Sequence, residues 1–174
     1  MVLKRQKPQW EEEFEREKEG YAKIRPLQGV FFPICYGEVH CCFGGDWHGN
    51  TQKRRSLLLS ELGGWDLNSD ECPLIEAGRL EAMLREALEA TVRFGLIPTG
   101  DGRLENIRFV GEKIMFVDLE SYTAVPKDES HDLVELEIRY LLREYLEHQK
   151  AVAYEKQSYP KAQFPKVSSR VARG

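Results

Sequence analysis

The stretch that most limits what this chain can fold into runs from Thr99 to Glu120. Thr99-Gly-Asp-Gly-Arg-Leu-Glu-Asn106 is a polar loop, Ile107 to Val110 reads as a strand, a turn follows, and Ile114-Met-Phe-Val-Asp118-Leu-Glu120 is a second strand ending on acids. Such a hairpin brings Asp101, Asn106 and Asp118 to one end of a short antiparallel pair. Two carboxylates and an amide are hard oxygen donors, as a divalent metal bound to phosphate requires. Taken singly, each residue has a plainer role. Asp-Gly is a common turn dipeptide, and Asp118 could cap whatever follows the hairpin.

At 174 residues the chain is long enough to bury roughly 70% of its unfolded surface as one small domain or two-lobed unit. A net charge of −4 argues against a nucleic-acid binder that relies on a large basic surface. No apolar run reaches the length of a membrane span, and the N-terminus has no signal-peptide core, so a cytoplasmic protein is expected. Cys35, Cys41, Cys42 and Cys72 read as reduced thiols rather than a disulfide framework. His40 and His48 lie near the first three, but no C-x-x-C or H-x-x-x-H spacing supports zinc.

Met1 to Lys4 is a short apolar run ending in lysine. The spacing of Trp10, Phe14, Tyr21 and Ile24 predicts a helix over Glu11 to Ile24, ended by Pro26, with acids in its first turns. A strand is expected around Glu38 to Phe43, a turn-rich connection over Gly44 to Lys53, and a buried strand over Ser56 to Leu62, broken by Gly63-Gly64. Leu74 to Phe94 reads as a long helix capped by Ser69 or Asp70, with Leu80, Met83, Leu84, Ala87, Leu88 and Val92 inward. Ser121 to Glu129 reads as irregular and Asp132 to Glu147 as a second amphipathic helix. From Lys150 onward six Lys or Arg face one Glu, so a flexible basic tail is expected over 150–174.

In this order the segments resemble the protein-kinase-like superfamily in its aminoglycoside- and choline-phosphotransferase-like variety. Asp101 to Asn106 is similar to the D-x-x-x-x-N catalytic loop, and Asp118-Leu119-Glu120 to the metal-binding D-F-G or D-x-E. Val2-Leu3-Lys4 resembles the V-A-I-K strand, Glu17 stands where the lysine's ion-pair partner falls, and Ser60 to Gly64 resembles the adenine-carrying hinge. The resemblance implies an α+β, truncated two-lobed fold. Residues 1–64 would be a small-lobe remnant and hinge, and 65–149 a shortened large lobe. It implies ATP and Mg²⁺ as cofactors, Asp101 as catalytic base, and Asn106 and Asp118 as metal ligands. Lys4, Glu17, Ser60, Glu61 and Leu62 would bind nucleotide. The physical roles follow: a lysine is a point charge for phosphate, a facing glutamate holds it, and a hinge backbone can bond an adenine edge.

Departures accompany the likeness. Thr99 stands where the family has His, Leu119 replaces an aromatic, no glycine-rich loop precedes Lys4, and no A-P-E-like segment follows Glu120. A protein-substrate kinase with an activation loop is therefore not expected. The expected activity is phosphoryl transfer from ATP to a hydroxyl-bearing substrate. The alternatives are a pseudokinase-like binding module with a protein partner, or a fragment of a longer kinase-like protein. The substrate is not legible.

Overall fold

A computed structural model describes residues 1–45, 51–98, 103–120, 122–126 and 130–158. The chain has a mixed α+β architecture built on small antiparallel sheets. Strand β1 (Val2–Arg5) pairs with β3 (Thr51–Leu59), and β3 pairs on its other side with β2 (Cys35–Gly45), giving the order β1-β3-β2. Leu57 and Leu59 alternate inward from the central strand and are almost wholly buried. A register shift between Cys35 and Gly37 bends β2, and Gly37 takes φ 120°, which side-chain-bearing residues rarely adopt.

The expected hairpin is present, but its strands extend into the segment read as turn-rich. β2 continues to Gly45 and β3 begins at Thr51, because ladder pairing outweighs weak local strand preference. At the other end β3 stops at Leu59, short of the expected Leu62. There the Ser60 N–H donates to the Ile34 carbonyl at 2.8 Å and its hydroxyl accepts from the Ile34 N–H at 2.9 Å.

Helix α1 (Glu11–Lys23) starts with three glutamates in its first turn, which complement the helix dipole where no side chain caps it. Its inner face presents Phe14, Glu17, Gly20 and Tyr21. A glutamate on that face is the one residue there that core packing does not explain.

After β3, Gly64 has φ +71°, and a Cβ on it would lie 2.2 Å from the Phe109 carbonyl oxygen. Only glycine permits that approach, which brings this segment against strand β6 (Ile107–Val110). β6 pairs with β4 (Trp65–Asp66) and with β7 (Lys113–Phe116), so the predicted hairpin forms, its second strand ending at Phe116 rather than on the acids at 118 and 120. Helix α2 (Ala77–Val92) begins later than expected, and its cap is Glu76, whose carboxylate accepts the Gly78 and Arg79 N–H groups at 3.0 and 2.8 Å. Ser69 instead accepts the Glu71 N–H at 3.2 Å, closing a local turn.

Strand β5 (Leu96–Pro98) pairs with β8 (Tyr122–Ala124), inside the stretch expected to be irregular. Helix α3 (Ser130–Ser158) runs well past Glu147. It buries Val134, Ile138, Leu141 and Tyr145, and the Tyr145 hydroxyl accepts the Ile75 N–H at 2.8 Å. The rest of the basic tail, 159–174, lies outside the described residues. No described helix is long and apolar enough to cross a membrane.

Candidate active site

Lys4 is carried on β1 opposite Leu57 of the central strand. Its ammonium donates to Glu17 at 2.6 Å and to Asp118 at 2.8 Å, and lies 3.3 Å from Glu120. Three segments separated by 13 and about 100 residues of sequence thus meet at one cation. Glu17 is buried to 1% exposure, while Asp118 and Glu120 keep about a fifth of their side chains open.

Each contributor is held by its own element. The Val117 N–H donates to the Asn106 carbonyl at 2.9 Å, which ties the two residues read as metal ligands to adjoining backbone. Asp118 accepts the Glu120 N–H at 2.8 Å, so the acid pair is folded on itself before it meets Lys4. Leu119, between them, is buried to 1% and packs against Gly20 of α1. Phe32, Phe116 and Tyr122 form an aromatic cluster with centroid separations of 5.7 to 6.1 Å.

Burial alone would lower the Lys4 pKa, but the charges of Glu17 and Asp118 and the hydrogen bonds to both outweigh it and raise it. Burial pushes the Glu17 carboxyl up, against the pull of Lys4. Glu17, Asp118 and Glu120 each offer a carboxylate oxygen, all within 4.8 Å of one another. Lys4, with Lys7 reaching Glu120 at 2.9 Å, supplies two positive charges against three negative. The excess is negative, and the donors are hard oxygens. Asp118 and Glu120 are the accessible carboxylates of the set, hard oxygen donors of the kind a divalent cation takes, and Asn106 is tied to the neighbouring Val117 through its backbone carbonyl.

Beside Lys4 opens a cleft of about 420 Å³, lined among others by Val2, Pro33, Leu59, Leu62 and Val117. At its margin Arg108 lies 3.1 Å from Asp66 and donates to the Gly64 carbonyl at 3.2 Å. Of the expected hinge residues, Ser60 and Leu62 line this cleft, whereas Glu61 meets the Met1 amine at 3.3 Å. The N–H and hydroxyl of Ser60 are used on Ile34, which leaves the Ser60 carbonyl and the backbone of Glu61 and Leu62 as the edge without a backbone bond among the described residues.

Asp101, read as the catalytic base, and Thr99 lie outside the described residues. The structure therefore brings together Lys4, Glu17 and Asp118, with Asn106 joined through the backbone. Glu120 and Lys7 were missed as members of the cluster. The D-x-E spacing could have announced Glu120; nothing local marks Lys7. Burial pushes the Cys35 and Cys72 thiols up, so neither is an activated nucleophile. No family model matches the sequence, and no curated protein matches it either.

Proposed function

We propose that the chain is a kinase-like protein that binds ATP with Mg²⁺ and transfers phosphate to a hydroxyl-bearing substrate, on a two-lobed kinase-like fold. One observation carries the reading: a buried glutamate on α1 and the acid after β7 grip the β1 lysine at 2.6 and 2.8 Å, at the edge of an apolar cleft. Apolar packing gains nothing from placing Glu17 inward, and a buried carboxylate is costly unless paired. A lysine pre-positioned for phosphate accounts for it.

Each residue then has a task. Val2, Leu59 and Leu62 cover the faces of the adenine, and the Glu61–Leu62 backbone bonds its edge. Lys4 meets the phosphates while Glu17 keeps it oriented, and Asp118 and Asn106, with Glu120, hold the metal. Bound Mg²⁺ would offset phosphate charge. Asp101, assigned from its sequence position, would accept the substrate hydroxyl proton, a role worth roughly 10²–10⁴-fold in rate.

Fluorescent-nucleotide displacement by Mg-ATP tests this reading. Wild type is expected to bind, with affinity at least about tenfold weaker in Asp118→Ala and when EDTA removes the metal. Equal binding with and without metal and Asp118 would reject it.

A second reading, a catalytically silent binding module, is favoured by the saturation of Lys4. All three carboxylates already surround its ammonium. ADP formation that is abolished by Asp101→Asn would reject this alternative.

A further inference from the structure

A second recess, of about 260 Å³, shares no lining residue with the nucleotide cleft. Arg16, Gly20 and Lys23 of α1 form one wall, and Leu119, Tyr122 and Ala124 form the other. Leu119 and Tyr122 are buried to 1% and 7%, so the floor is apolar. Arg16 and Lys23 stand seven residues apart, on one side of the helix, and are exposed at the rim.

These two cations differ from Lys18 of the same helix and Arg55 of β3 on its other flank. Lys18 and Arg55 are paired to Glu15 and Glu38, whereas no ion pair among the described residues uses Arg16 or Lys23. Among the described residues lining the recess Glu19 is the one acid, beside the cations Arg16 and Lys23; on its other side Arg16 also borders Glu11, Glu12 and Glu15. Gly20 points the same way. Glycine is unfavourable inside a helix, yet a Cβ there would come no closer than 3.4 Å, to Leu119. Alanine would fit, so sterics do not demand the glycine; its effect is to keep the floor open.

We propose that this recess binds a small molecule joining one anionic group to an apolar body. The anion meets Arg16 and Lys23, and the body rests on Leu119 and Tyr122. One wall belongs to the helix that carries Glu17, and the other continues directly from Asp118. A filled recess therefore clamps together the two elements that grip Lys4, and strengthens nucleotide binding. That coupling rests on the nucleotide reading; occupancy of the recess does not.

Calorimetric titration of the full chain with 1-naphthaleneacetate, and with its neutral analogue 1-naphthaleneethanol, tests the site without any nucleotide. The acid is expected to bind one saturable site, about fivefold more tightly than the alcohol. Affinity is expected to fall about tenfold in Arg16→Gln/Lys23→Gln. Gly20→Met, which fills the floor, is expected to abolish binding. Absence of saturable binding at millimolar acid, or unchanged affinity in the double variant, overturns the proposal. Should Gly20→Met fail to give a wild-type circular dichroism spectrum, the double variant at the exposed rim decides alone. Repeating Mg-ATP titrations with the acid present separates the two claims. Tighter nucleotide binding supports the clamp, and unchanged nucleotide affinity with the acid bound rejects it. Absence of Mg-ATP binding with the acid bound removes the nucleotide reading and the clamp, while the site stands.

Discussion

Two ion clusters hang on helix α1, and they are built to opposite rules. On one side Lys4 meets Glu17, Asp118 and Glu120; on the other, Arg55 and Lys18 meet Glu15 and Glu38. The outer cluster has two cations for two acids and stands open, with Lys18 and Glu15 side chains 37% and 43% exposed. Hydrogen bonds from Arg55 and Lys18 hold the Glu38 carboxyl down at about 2, so it stays ionised over the working range. The inner cluster buries Glu17 and leaves negative charge in excess. Balanced exposed charge decorates a fold. Unbalanced buried charge costs stability, and a ligand that brings positive charge relieves it.

The largest effect that sharpens this contrast comes from Lys4→Met. Removing the one cation that faces buried Glu17 is expected to destabilise the fold by about 3–5 kcal/mol in urea unfolding. A cost under about 1 kcal/mol would mean that the inner cluster is as loosely coupled to folding as an exposed one.

A buried acid in no ion pair among the described residues provides the second test. Glu137 on α3 is 6% exposed, one of its oxygens has no hydrogen-bond partner, and burial pushes its carboxyl up to about 7. Because the folded value lies above the ordinary one near 4.5, its contribution is full below about pH 4.5 and is lost as pH rises through about 7. From this residue the chain is expected to lose about 2–3 kcal/mol between pH 5 and pH 8, and Glu137→Gln should flatten that slope. An unchanged slope in the variant would show that the acid is not buried as described. Set beside it, Glu17 marks what Lys4 contributes: both acids are pushed up by burial, and of the two only Glu17 has a cation beside it among the described residues.

The smallest effect belongs to the outer cluster. Glu38→Gln is expected to change stability by less than about 1 kcal/mol, and less again in 1 M salt. A larger, salt-resistant loss would erase the distinction between the two sides of α1.

Much of the inner cluster was legible before any coordinates. Lys4, Glu17 and Asp118 could be related because the order of their segments resembles a kinase-like arrangement, in which a strand lysine, a helix glutamate and an acid after a hairpin fall together. What escaped was tertiary. Glu76 became the cap of α2 in place of Ser69 or Asp70, because capping depends on where the chain enters the helix and several acceptors lay within reach. β8 was hidden in a polar stretch because its pairing partner, β5, lies 24 to 28 residues upstream in register. Lys7 joins Glu120 across 113 residues, a meeting that no local pattern encodes.

Thermal unfolding of wild type and Lys4→Met, each with and without 5 mM Mg-ATP, tests the nucleotide reading most directly. With a dissociation constant near 0.1 mM, the wild-type midpoint is expected to rise by about 5–9 °C, and the Lys4→Met midpoint by about 2 °C or less. No rise in wild type, or an equal rise in both proteins, would contradict the assignment of the Lys4 cluster as a nucleotide site.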